Sequence, residues 1–152
     1  MTATSHALLG TLVAVRFTDP VVSVPLALGL HYVADFVPHW DSGTNRREKS
    51  EKRFLIEAII DGLISIVVAG LAYYYIFGLN SFYYLYLIVG ISLLPDILTV
   101  MTRFVMKKKS VLWDWHNRLQ SRINQRMQLP WGLLTQIITI GVVYIFLFRI
   151  FI

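Results

Sequence analysis

No cysteine occurs in the 152 residues, which excludes a disulfide scaffold, every thiolate metal site and every cysteine nucleophile. Charge is scarce as well. Asp, Glu, Lys and Arg make up 15% of the chain, against about 25% in an ordinary soluble domain. With 56% hydrophobic residues and a mean hydropathy of +0.60, that deficit excludes both a soluble globular protein and a disordered one. There is no Gly-x-Ser-x-Gly elbow and no phosphate-cradling glycine loop, which argues against serine hydrolysis and nucleotide-dependent chemistry. The Asp-Gly-x-x-Ala-Arg pattern of lipid phosphotransferases is missing too. Without internal repeats or low-complexity tracts, the chain reads as a single domain, 1–152. These absences leave an integral membrane protein.

The apolar residues fall in long runs. A membrane-crossing helix needs about 20 of them, and residues 20–40, 54–77, 82–106 and 130–152 meet or approach that length. Residues 5–17 form a shorter run of small and apolar residues. Its only charge, Arg16, follows the run, the reverse of a signal peptide, so it reads as a retained first helix. The predicted fold is all-α: a polytopic helical bundle of about five transmembrane helices. Residues 111–128 differ in kind. Val111, Trp115, Leu119 and Ile123 recur every four positions while Arg118, Arg122 and Arg126 form a separate stripe. That pattern predicts an amphipathic helix lying in the membrane interface.

The net charge is +5, but its placement says more than its sum. Of the 14 Lys and Arg, all but Arg16 and Arg149 lie in blocks at 46–53, 103–109 and 118–126. These blocks join the second helix to the third and the fourth to the fifth. Because Lys and Arg stay on the cytoplasmic side, the topology expected is five helices with the N-terminus inside, in a bacterial or archaeal cytoplasmic (inner) membrane. Nucleic-acid binding is not expected of these blocks. They are topology signals first and lipid-phosphate contacts second.

Polar residues inside the spans are the second signal, since an Asp at mid-helix costs roughly 2.5–3.5 kcal/mol on insertion scales and usually marks function. His31 and Asp35 are four apart and share a helix face, with His39 one turn on and Asp41 beyond. Glu57 and Asp61 repeat the spacing, Asp96 follows Pro95, and His116 and His6 stand near helix starts. At 1.5 Å per residue, Asp35, Asp61 and Asp96 lie roughly 8, 11 and 15 Å from the cytoplasmic ends of their helices. Carboxylates so crowded in a low-dielectric region must be protonated or neutralised by a cation. A divalent metal is the economical answer. Imidazole with carboxylate and no thiolate suits zinc or manganese best, with iron or magnesium also admissible.

Four segments carry a resemblance. Ser5-His6-Ala7-Leu8-Leu9-Gly10, Leu94-Pro95-Asp96, His116-Asn117-Arg118 and Leu30-His31-Tyr32-Val33-Ala34-Asp35 resemble segments of the small inner-membrane proteins known as membrane-bound metal-dependent hydrolases. The counterparts there are an N-terminal His on a small-residue helix, Leu-Pro-Asp-x-Asp, His-Arg-Gly-x-Thr-His-Ser and Ser-His-x-x-x-Asp. Here Leu98 stands at the second Asp, Ser121 at the second His, and the His-x-x-x-Asp segment precedes the Pro-Asp one. The segment Asp35-Phe-Val-Pro38-His39-Trp40-Asp41 also resembles the Asp-x-x-Pro-His-Trp-Asp ending of other small bacterial membrane proteins.

The resulting expectation is a membrane-embedded metal-dependent hydrolase acting on a lipid-linked or phosphorylated substrate at the cytoplasmic face. His31, Asp35 and Asp96 hold the ion, with His6, His39 and His116 as further ligands. Glu57 or Asp61 serves as general base, and Arg118 and Arg122 steady an anionic headgroup. Blander pairings compete: Asp96 with Arg103, and Glu57 with Arg53. The non-enzymatic alternatives are a small protein that binds or conducts a metal ion or protons through the same residues, and a structural subunit in a homo-oligomer or other assembly.

Overall fold

The computed structural model describes residues 1–77, 81–106 and 110–150. The expected link at 78–80, the lysine block at 107–109 and the end of the last helix at 151–152 lie outside the described residues. Six helices follow one another: α1 (Ala3–Arg16), α2 (Pro20–Asp35), α3 (Glu51–Phe77), α4 (Phe82–Val100), α5 (Val111–Ile123) and α6 (Trp131–Ile145). Wider π-type turns prolong α4 over Met101–Met106 and α6 over Phe146–Ile150. There is no strand among the described residues.

Three helices are long and apolar enough to cross a membrane: α3, α4 with its extension to Phe104, and α6 with its extension to Arg149. Their outer faces leave Ile59, Leu63, Val67, Leu71, Ile137 and Val142 exposed, an outward apolar surface suited to lipid rather than water. The other two apolar helices are shorter. α1 has 14 residues and α2 has 16, about 21 and 24 Å of helix against a ~30 Å hydrocarbon core.

Burial concentrates on α1, where Ser5, His6, Ala7 and every residue from Leu9 to Ala14 are enclosed. It packs against α2, α3, α4 and α6. Small residues permit this, since without a hydrophobic drive between helices in lipid, close backbone approach is what holds them together. At Gly10 a Cβ would stand 3.0 Å from Ser92 Cβ and 3.3 Å from Val89 Cα, so α1 and α4 meet almost backbone to backbone. The start of α1 is capped twice. Thr2 Oγ1 accepts from Ser5 N at 3.2 Å. Asp61, from α3, accepts from Ala3 N at 2.7 Å, Thr4 N at 3.2 Å and Thr4 Oγ1 at 2.8 Å.

Two expected boundaries move. The helix expected over 20–40 ends at Asp35, because Pro38 disfavours helical backbone in the residue before it. The helix expected over 111–128 ends at Ile123, where Asn124 turns extended. The two freed segments pair with each other. His39 N donates to Gln125 O at 2.9 Å, Met127 N to His39 O at 2.7 Å, and Gln125 N to Asp35 O at 3.1 Å. Trp40 N closes the join by donating to Gly132 O at 3.1 Å. This short parallel bridge holds the residues after α2 against the bundle.

Candidate metal centre

The bridge, α1, α2 and α4 converge on one cluster of imidazoles and carboxylates. His6, His31, Asp35 and His39 are all fully buried. His6 comes from α1, His31 and Asp35 from α2, His39 from the bridge and Asp96 from α4. His6 Nε2 lies 3.1 Å from Asp35 Oδ1 and 3.9 Å from Asp96 Oδ2. His31 Nε2 lies 3.5 Å from Asp35 Oδ2 and 4.0 Å from Asp96 Oδ1. The two rings stack, with centroids 3.9 Å apart. His6, His31 and Asp96 each offer a ligand atom within 4.8 Å of the others. In a tetrahedral zinc site with bonds near 2.0 Å, neighbouring ligand atoms stand about 3.3 Å apart, so a small contraction around an ion would close this set.

The tautomers favour that use. His31 Nδ1 donates to the Ser92 carbonyl at 2.7 Å, which leaves its Nε2 as the lone-pair nitrogen facing the carboxylates. His39 Nδ1 donates in the same way to Val37 O at 2.7 Å. Pinning one imidazole nitrogen on a carbonyl is how proteins orient the other toward a metal. His39 lies beyond α2, and burial pushes its imidazole below the ordinary value, toward the neutral form a metal needs. Ser92 also donates through Oγ to His6 O at 2.8 Å, so one residue of α4 fixes both histidine-bearing helices.

Several polar atoms here are unsatisfied. Asp35 Oδ2, His39 Nε2 and His6 Nδ1 are buried without a hydrogen-bond partner among the described residues. Such atoms are costly unless something meets them. The amino group of Met1 lies against Asp35 Oδ1 and 3.0 Å from His6 Nε2.

Asp96 is 35% exposed and borders a cavity of about 660 Å³. Apolar side chains line it, among them Ile59, Leu63, Ile66, Ile97 and Met101. Arg46, Arg103 and Arg126 line it as well, and so do Asp41 and Asp61. Arg103 Nη2 lies 3.3 Å from Glu51 Oε1, while Asp96 has the amide of Gln120 beside it. Gln120 Nε2 donates to Asp96 Oδ1 at 3.2 Å and to His31 Nε2 at 3.3 Å.

The remaining expected site residues take other places. Glu57 is held by Lys49 Nζ at 2.6 Å and Arg53 Nε at 2.9 Å. Asp61 has its oxygens on the first turn of α1 while still lining the cavity. His116 is buried and donates through Nε2 to Pro95 O at 3.1 Å, with Thr99 Oγ1 3.2 Å away. It ties α5 to the turn of α4 that carries Asp96. Arg118 and Arg122 are exposed on α5. The structure thus gathers His6, His31, Asp35, His39 and Asp96, and sets Glu57, His116, Arg118 and Arg122 outside that group.

Sequence reasoning missed Gln120, Arg46, Arg126 and the Ser92 carbonyl. Gln120 carried a faint signal, being one position past Leu119 on a helix otherwise rich in charge. No family model, curated protein or solved structure matches this chain.

Proposed function

We propose that this protein is a metal-dependent hydrolase of the cytoplasmic membrane, acting from the cytoplasmic face on a lipid-linked, phosphorylated substrate. One observation carries the reading. Buried imidazoles pinned through Nδ1 turn Nε2 toward carboxylates, His31 toward Asp35 and Asp96 and His39 toward Asp35, beside a cavity lined by apolar side chains and three arginines. Five crossing helices (α1 to α4 and α6), with α5 in the interface and the N-terminus inside, accord with this and with the basic blocks.

His6, His31, Asp35 and Asp96 hold a divalent ion, zinc or manganese by the chemistry of the donors. The ion supplies Lewis acidity and a nucleophilic water at neutral pH. The Ser92 carbonyl orients His31 and Gln120 orients Asp96, the amide's contact with His31 Nε2 giving way to the ion. Arg46, Arg103 and Arg126 hold the phosphate, with bidentate guanidinium contacts fixing its orientation, and the lipid chain lies along Ile59, Leu63 and Ile97. Of the two cavity carboxylates outside the metal-binding set, Asp41 and Asp61, Asp61 is the one assigned to take a proton. Glu57, engaged by Lys49 and Arg53, is not assigned a role in the reaction, and Arg118 and Arg122 face bilayer headgroups. Detergent-purified protein assayed against phospholipids and lipid phosphates should release product only with metal present. Chelation should abolish turnover, zinc or manganese should restore it, and His31→Ala should remove it. Turnover that survives both chelation and His31→Ala contradicts the proposal.

A further inference from the structure

The metal site in the proposed reading uses His6, His31, Asp35 and Asp96, and leaves an imidazole unexplained. His39 is fully buried, its Nδ1 is committed to Val37 O, and its Nε2 has no partner among the described residues. That nitrogen points between two carboxylates, 3.8 Å from Asp35 Oδ1 and 3.9 Å from Asp41 Oδ2. Asp41 is itself oriented, since Oδ2 accepts from Asn124 Nδ2 at 3.0 Å and Oδ1 from Arg126 Nε at 3.2 Å. Hydrogen-bonded carboxylates of this kind are the usual partners of ligating histidines.

Asp35 stands between this group and the first one. Its Oδ1 faces His6 and His39, with the Met1 amino group against it for an ion to displace, and its Oδ2 faces His31. Asp41 on one flank and Asp96 on the other both line the same cavity. We propose that the centre is dinuclear, with one divalent ion held by His6, His31 and Asp96, a second by His39 and Asp41, and Asp35 bridging the pair. Counting the bridge, the first ion has four protein ligands and the second three, and three ligands with a position left open is the arrangement of a catalytic rather than a structural zinc. Paired ions about 3.5–4 Å apart clamp both oxygens of a displacement at phosphorus, which matches a phosphorylated substrate. This inference rests on the metal-binding part of the proposed function.

The test is zinc stoichiometry by equilibrium dialysis of the full chain, stripped with chelator and checked for unchanged elution and helical content. The parent should bind two zinc ions per chain. His39→Ala and, independently, Asp41→Asn should bind one, His31→Ala should bind one, and Asp35→Asn should bind fewer than one. One ion in the parent overturns the dinuclear centre and leaves a single site standing. No ion in the parent overturns both. Two ions retained in both His39→Ala and Asp41→Asn also overturn it, because the second ion then lies elsewhere.

Discussion

Asp61 and Glu57 lie four residues apart on α3, and the structure gives them opposite energetic weight. Asp61 accepts three hydrogen bonds from the first turn of α1, two of them from backbone N–H groups. Helix starts leave such donors unsatisfied, and losing a capping side chain costs about 0.5–2 kcal/mol. A carboxylate at the positive end of a partly buried helix adds up to about 2 kcal/mol. Water from the cavity recovers part of the loss. Asp61→Ala should therefore destabilise the protein by about 2–4 kcal/mol, and Asp61→Asn, which keeps an acceptor oxygen, by about half of that. At roughly 2–4 °C per kcal/mol for a chain of this size, thermal unfolding in detergent should fall by about 4–16 °C for Asp61→Ala. Glu57→Ala breaks ion pairs with the exposed Arg53 and the partly buried Lys49, worth about 0–1 kcal/mol in all, and should shift the midpoint by no more than about 4 °C. Equal shifts for the two variants would refute the capping argument.

Other predictions follow from the cavity and the bridge. Gly132→Ala places a Cβ 2.5 Å from Trp40 N and 2.6 Å from Met127 O, both backbone atoms. It should cost about 1–3 kcal/mol and weaken metal binding through the displaced His39, as a calorimetric titration would reveal. Gln120→Leu removes a donor that competes with the ion for His31 Nε2, so zinc affinity measured by equilibrium dialysis should hold or rise rather than fall. Arg103→Gln should weaken binding of a short-chain anionic phospholipid by at least about tenfold, since a hydrogen bond to a charged group is worth about 1.5–3 kcal/mol. Arg118→Gln, on the exposed face of α5, should leave that binding unchanged in a tryptophan-quenching assay. Metal affinity should hold as pH drops through about 6.5 and fall only at lower pH, because ligating imidazoles must be neutral and burial keeps His39 below its ordinary value, and a titration at fixed zinc would follow this.

The parts of this protein legible in its sequence are those carried by local periodicity. The i, i+4 spacing put His31 and Asp35 on one face, and the apolar runs marked the helices that became α3, α4 and α6. What escaped depends on contacts distant in the chain. Asp61 reads as a buried acid, and only the packing of α1 on α3 makes it a cap for Ala3 and Thr4. The end of α2 was overestimated because Trp40 is apolar, whereas Pro38 and the pairing of His39 with Gln125 and Met127 stop the helix five residues earlier. Arg46 and Arg126 sat in basic blocks that also serve as topology signals, so nothing separated them from Arg118 and Arg122. Arg103 turned to Glu51, a residue 52 positions away, rather than to Asp96 on its own helix.

The measurement that bears most directly on the central claim is elemental analysis of the protein purified in detergent without chelators, beside a His31→Ala/Asp35→Ala variant of matching helical content. The account predicts zinc or manganese at one equivalent or more in the parent and its loss in the variant. A metal-free parent that also fails to take up zinc or manganese on titration would contradict it. In that event the buried histidines and aspartates serve each other and the Met1 amino group, and no ion.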